Sequence, residues 1–216
     1  MNAALDHLVV TVPTLAQGVQ WCEAVLGVTP GPGGAHALMG THNRLLNVSS
    51  ERFPQAFFEI LAIDPAAPPP GRARWFGLDA IDPAAGPQLR HFVARSGAVD
   101  AQATALRVAG FDIGPAIAAS RDTPQGRLEW RLTVRDDGQL LAGGALPTLI
   151  DWDLTPHPTS TMPTCGVTLR ALTLRGLAPA ISQVLGLPGI DFAAGPVPAL
   201  SAIFDTPLGP VTLCSD

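Results

Sequence analysis

The chain has 216 residues, 47% of them hydrophobic and only 14% charged, which excludes a disordered polypeptide and allows a sizeable core in one large or two small domains. A formal net charge of −5, with no block of basic residues, removes the electrostatic basis for binding nucleic acid or an acidic membrane surface. Three scattered cysteines (Cys22, Cys165 and Cys214) suit neither a disulfide framework nor a zinc-thiolate cluster.

The segment Leu5–Val12 is rich in valine and reads as a strand. Thr14 is a good helix cap, and Leu15, Val19, Cys22, Val25 and Leu26 recur at helical spacing up to a stop at Gly27. The stretch PGPGGAH reads as a turn-rich connection, and HALMGTHNRLLNVS as two short strands about Gly40-Thr41. Ala56–Ile63 is a buried strand. Residues 64–86 are rich in Pro, Ala and Gly and read as a linker. The order then restarts: strand Leu89–Ser96, helix Val99–Ala109, and three strands within FDIGPAIAAS, GRLEWRLTV and ALPTLIDWD. A third, shorter unit follows, with strand GVTLRALTLRG, helix LAPAISQVLGL and a strand pair about a Pro-Leu-Gly turn. The expected fold is therefore α+β, built of paired βαβββ modules. They divide as a first module at 1–64, a linker at 65–87, a second module at 88–156 and a shortened third repeat at 165–216.

This architecture resembles the glyoxalase/bleomycin-resistance/extradiol-dioxygenase superfamily, the vicinal oxygen chelate proteins, and within it the glyoxalase-like domain branch. The matching segments are LDHLVVTVP, GGAHALMGTHNRLL, FFEILAID, SRDTPQGRLEWRLT and LPTLIDWDLTPHP. The resemblance implies curved sheets around a cleft that holds a metal or a small ligand.

Strand alternation places His7 on one face with Leu5, Val9 and Thr11, and Glu59 on one face with Phe57, Leu61 and Ile63. If both faces line the cleft, His7 and Glu59 converge on one cation, and imidazole with carboxylate suits Zn, Fe, Ni or Mn. Aligning LRHFVARS on LDHLVVTV adds His91, and matching the acid of TLIDW to that of FFEIL adds Asp151, completing the four-ligand set that the resemblance implies, with Asp151 one methylene shorter than glutamate. The competing reading of His91 is a hydrogen-bonded core histidine. Glu59, flanked by Phe57, Phe58, Ile60 and Leu61, needs a partner, whether metal, arginine or a proton. Glu59 and His91 are the candidates for proton transfer.

Substrate contacts are expected from His36, Thr41, Asn43, Arg121, Trp130 and Trp152. Turn chemistry competes for Thr41 and Asn43, an ion pair for Arg121, and plain sheet packing for the two tryptophans. His157, between prolines, sits on a stiff loop that either closes the cleft or lies exposed. The expected function is a metal-dependent isomerase, lyase or dioxygenase acting on a small oxygenated substrate. The alternative is a metal-free module that binds or sequesters a small molecule, and a third reading is a structural domain. The first twenty residues lack a leader pattern and no apolar run spans a membrane, so a cytoplasmic protein is expected. Low charge with high apolar content suits a homodimer.

Overall fold

A computed structural model describes residues 2–123, 126–153 and 155–215. The first module runs β1 (Ala4–Thr11), α1 (Leu15–Leu26), β2 (Gly31–His36), β3 (Thr41–Asn47) and β4 (Phe57–Ile63). The second runs β5 (Gln88–Arg95), α2 (Val99–Val108), β6 (Ala116–Thr123), β7 (Gly126–Thr133) and β8 (Thr148–Asp151). Helix α1 begins where the Thr14 hydroxyl accepts from the Gln17 N–H at 3.2 Å and ends on Gly27 in the left-handed conformation, as its local signals require. The glycine-rich stretch read as a turn is strand β2. With few side chains to bury, its pairing with β3 through Gly31–Leu45 and His36–Thr41 is what makes it a strand.

All eight strands form one sheet in the order β2-β3-β4-β1-β5-β8-β7-β6. Each module closes with a parallel pair, β1 with β4 and β5 with β8, and the modules join by antiparallel pairing of β1 with β5. The sheet curls until its two end strands, β2 and β6, approach each other. One face carries the larger core, including Leu8, Val10, Phe58, Ile60 and Phe92. Complete burial of a side chain such as Phe58 contributes about 2–3 kcal/mol. The concave face carries a second core of Val9, Leu61, Val93, Trp130, Leu132 and Ile150, capped by Trp75 and Phe76.

Trp75 and Phe76 come from the segment read as a linker. They stack at 5.4 Å within a 3-10 turn at Trp75–Ala80, so this segment roofs the concave face. The third unit comprises β9 (Thr168–Arg175), α3 (Pro179–Leu185), β10 (Asp191–Ala193), β11 (Ala199–Thr206) and β12 (Gly209–Cys214). It keeps the β-α-β-β-β order but pairs its strands as β10-β9-β11-β12, unlike either module. Its Leu169, Leu172, Leu174 and Phe204 complete the larger core, with Phe204 set edge-on to Phe58 at 5.5 Å. The concave face is left to the first two modules.

Candidate functional site

A cleft of about 460 Å³, its open mouth included, lies against the concave face. Its polar lining is His7, His36, Asn43, Glu59 and Arg121, set among the rings of Phe57, Trp75, Trp130 and Trp152.

The backbone at the start of β1 decides what His7 can do. Opposite β5, Leu5 pairs with Ala94 and His7 with Val93, leaving Asp6 as an extra residue. This bulge returns Leu5 to the larger core, away from the face it was expected to share with His7. It also buries Asp6 completely. The Asp6 carboxylate accepts from His7 Nδ1–H at 2.6 Å, Trp152 Nε1–H at 2.9 Å and His157 Nε2–H at 3.0 Å. Burial pushes its pKa up, but the hydrogen bonds and charges of His157 and His7 outweigh that and hold it below the usual carboxylate range. His7 stacks on Phe57 at 4.4 Å, so its ring is fixed on both an edge and a face. With Nδ1 donating to Asp6, Nε2 faces Glu59 Oε2 at 3.6 Å.

Glu59 is buried by the same alternation that puts Phe58 and Ile60 on the other face. Its Oε1 accepts from Asn43 Nδ2 at 2.6 Å. The orientation of that amide is set by the Gly34 N–H, which donates to Asn43 Oδ1 at 2.8 Å. Gly33 makes the arrangement sterically possible, since a Cβ there would lie 2.0 Å from Asn43 Oδ1. Arg121 reaches across from β6 and donates to the same oxygen at 3.3 Å. Burial lowers the Arg121 pKa and the Glu59 charge opposes that shift. The partners of Glu59 are thus an amide, an imidazole and a nearby guanidinium.

His36 is buried, edge-on to Trp75 at 5.1 Å, and its Nδ1 meets the Thr41 hydroxyl at 3.0 Å. Burial lowers its pKa to about 4, so the ring is neutral. Thr41 does not line the cleft and braces His36 instead. Trp130 and Trp152 form one wall, with ring centroids 5.5 Å apart. His157 lies behind that wall, bound to Asp6.

The other two expected ligands are elsewhere. His91 is buried with both nitrogens engaged: Nδ1–H donates to Gly144 O at 2.9 Å, and Nε2 accepts from the Thr148 N–H at 3.1 Å. Burial lowers its pKa to about 3. It is a core histidine beside the cleft. Asp151 falls on the opposite face of β8 from Ile150, which lines the cleft. The ladders explain the misalignment. Two residues from the start of each parallel pairing stand Val9–Glu59 in one module and Arg95–Ile150 in the other, so Ile150 occupies the counterpart of Glu59. Likewise, the ladder-start pairs His7–Phe57 and Val93–Thr148 make Val93 the counterpart of His7. Among the described residues, no three His, Cys, Asp or Glu side chains group to hold a metal. His7 and Glu59 could share a cation, but the four-donor set of two imidazoles and two carboxylates does not fit this geometry.

Asp6, Phe57, Trp75 and Phe76 were not singled out from sequence. Asp6 stood next to His7 in plain view, but its role depends on a bulge that only the partner strand creates.

A glyoxalase-like domain family model matches residues 5–184. No curated protein matches the chain. A hypothetical protein from Staphylococcus aureus shares the fold at a TM-score of 0.61 and 14% identity, with 92% of this chain and 88% of that one covered. Methylmalonyl-CoA epimerase from Mycobacterium tuberculosis matches at a TM-score of 0.41 and 19% identity, over 73% of this chain and 91% of that one. A methylmalonyl-CoA epimerase in complex with methylmalonyl-CoA and NH4+ matches at 0.45 and 15%, over 73% and 100%. With the family model covering most of its length, the chain belongs to the glyoxalase-like domain family.

Proposed function

We propose that this protein is an enzyme moving a proton at a carbon next to a carbonyl or carboxylate of a small substrate, with Glu59 as the base. The observation that carries the reading is a buried carboxylate facing an apolar cleft with one oxygen fixed by Asn43 and the other left toward His7. A desolvated, oriented carboxylate is suited to general base work. It takes the C–H proton on Oε2, and the electron pair moves to the substrate oxygen. Arg121 lines the same cleft, and its guanidinium stabilises the charge that develops there. His7, its Nδ1 tied to Asp6, presents Nε2 beside Oε2 and is placed to relay a proton to or from Glu59. Asp6 is a positioning residue, because it sets the tautomer and angle of His7 without reaching the cleft lining.

Isomerisation follows when Glu59 returns the proton to the neighbouring carbon or oxygen of the enolate. The experiment is a screen in D2O, with 2-oxo acids, α-hydroxy ketones, acyl thioesters and aryl-substituted carboxylates followed by proton NMR for deuterium incorporation. Wild-type protein is expected to exchange one class, and Glu59→Gln is expected not to. Failure of every class to exchange would sink the reading and favour the binding module, which the largely aromatic lining also suits. Elemental analysis of protein prepared without chelator tests cation sharing by His7 and Glu59. Stoichiometric metal that disappears in His7→Ala and Glu59→Ala would restore the metal-dependent reading.

A further inference from the structure

Two polar groups of the cleft have hydrogen-bonding capacity left over. Arg121 makes no ion pair among the described residues, and its one hydrogen bond within the site is the 3.3 Å contact to Asn43. A partly buried guanidinium with unused N–H groups is an anion receptor. Trp75 lines the same cleft, is 4% exposed, and its Nε1–H is buried with no acceptor among the described residues. An unsatisfied buried donor of this kind is costly and calls for a partner. The rest of the lining is dominated by Phe57, Phe76, Trp130 and Trp152.

We infer that the substrate is a small aryl-substituted carboxylate. Its carboxylate is gripped by Arg121 and accepts from Trp75 Nε1–H, and its ring lies among the aromatic walls. The inference deepens the proposed function and rests on this cleft being the reaction site. Geometry favours the anion at Arg121 for a second reason: the proton acceptor Glu59 stands beside it, joined through Asn43, which holds both. A carboxylate bound there places its α-carbon near the base, and the charge released by deprotonation spreads onto oxygens already held by Arg121. A phosphorylated or nucleotide-bearing substrate fits less well. Arg121 is the lone Arg or Lys among the described lining residues, and the chain carries a net charge of −5.

The test measures binding and not turnover. Three of the chain's four tryptophans line the cleft, so intrinsic fluorescence reports its occupation. Phenylacetate, phenylacetamide and acetate are titrated into the full-length protein. Phenylacetate is expected to quench saturably, about tenfold or more tighter than its uncharged amide, and acetate is expected not to saturate in the same range. In Arg121→Met the acid should weaken about tenfold while the amide holds, with Arg121→Lys in between. Glu59→Gln should bind phenylacetate at least as tightly as wild type, because it removes an anion near the guanidinium. Equal affinity of wild type for acid and amide would overturn the inference even if a variant failed to fold. So would an acid preference that survives Arg121→Met, or acetate binding as tightly as phenylacetate. Loss of proton exchange with this binding pattern intact would strike the base assignment alone.

Discussion

The two modules carry a histidine on the concave face of their first strand, and they use it in opposite ways. In β1, Asp6 takes one nitrogen of His7 and leaves the other facing Glu59 in the cleft. In β5, Gly144 and Thr148 take both nitrogens of His91, and the ring becomes part of the wall. The difference lies less in the imidazoles than in what stands behind them. A carboxylate anchor fixes a ring and leaves it one working atom. Two backbone anchors fix a ring and leave it none. The acids differ in the same sense: Glu59 faces in, and Ile150 fills its counterpart while Asp151 turns away. The two modules supply two frames, and the proposed chemistry sits in one.

The comparison is sharpest at Glu59. Glu59→Gln should lower proton exchange by about 10²–10⁴-fold, the usual scale of a general base, while His91→Gln should leave the rate per folded molecule near that of wild type. A comparable loss in both variants would break the division of labour. Next in size is His91→Ala, which strands the Gly144 carbonyl and the Thr148 N–H and opens a void in the core. It should lower the unfolding free energy by about 2–4 kcal/mol in urea titration.

The buried histidines also set a pH dependence. In the folded chain His36 takes a proton only near pH 4 and His91 near pH 3. In the unfolded chain both do so near 6.5. As pH falls below about 6.5 the unfolded state binds protons first, so stability is whole above that pH and declines toward 4. The slope is expected to reach about 1.4 kcal/mol per pH unit for each ring, and His91→Gln should remove roughly half of it. A flat melting temperature between pH 7 and 5 would contradict this.

Smaller effects probe the anchors. Asp6→Asn should reduce exchange about tenfold or more by releasing the His7 tautomer, with the change seen directly in the nitrogen chemical shifts of the His7 ring. A rate loss without any change in those shifts would mean that Asp6 acts only through stability. Asp151→Asn is expected to change stability by less than about 0.5 kcal/mol and the rate not at all, since the side chain is half-exposed on the far face.

How far the sequence carried these conclusions differs by region. Helix α1 was legible because its signals are local: Thr14 caps it and Gly27 stops it, whatever the fold around them. Glu59 was legible through strand alternation, which also put Phe57 beside it. Asp151 was not, because β8 is four residues long and a slip of one place exchanges the two faces of a strand. Asp6 escaped notice because a bulge is a property of a strand pair, and one strand read alone does not contain it. Trp75 and Phe76 lay in a segment whose prolines and glycines spoke of connection. Phe76 takes a positive φ of 58°, a conformation that no hydrophobic period announces. The third unit repeated the order of elements, but its strand pairing depended on contacts between elements distant in sequence.

Gly33 has a bearing on how such a protein can change through descent. The hydrogen atom at its α-carbon is all the room that β2 leaves above the amide of Asn43. Any heavier replacement would dislodge the amide, and with it the grip on the acid, although position 33 itself does not line the cleft. Lineages drifting at this glycine would lose the proposed reaction while keeping every residue proposed to perform it, so inheritance of that set would be no guarantee of inherited activity.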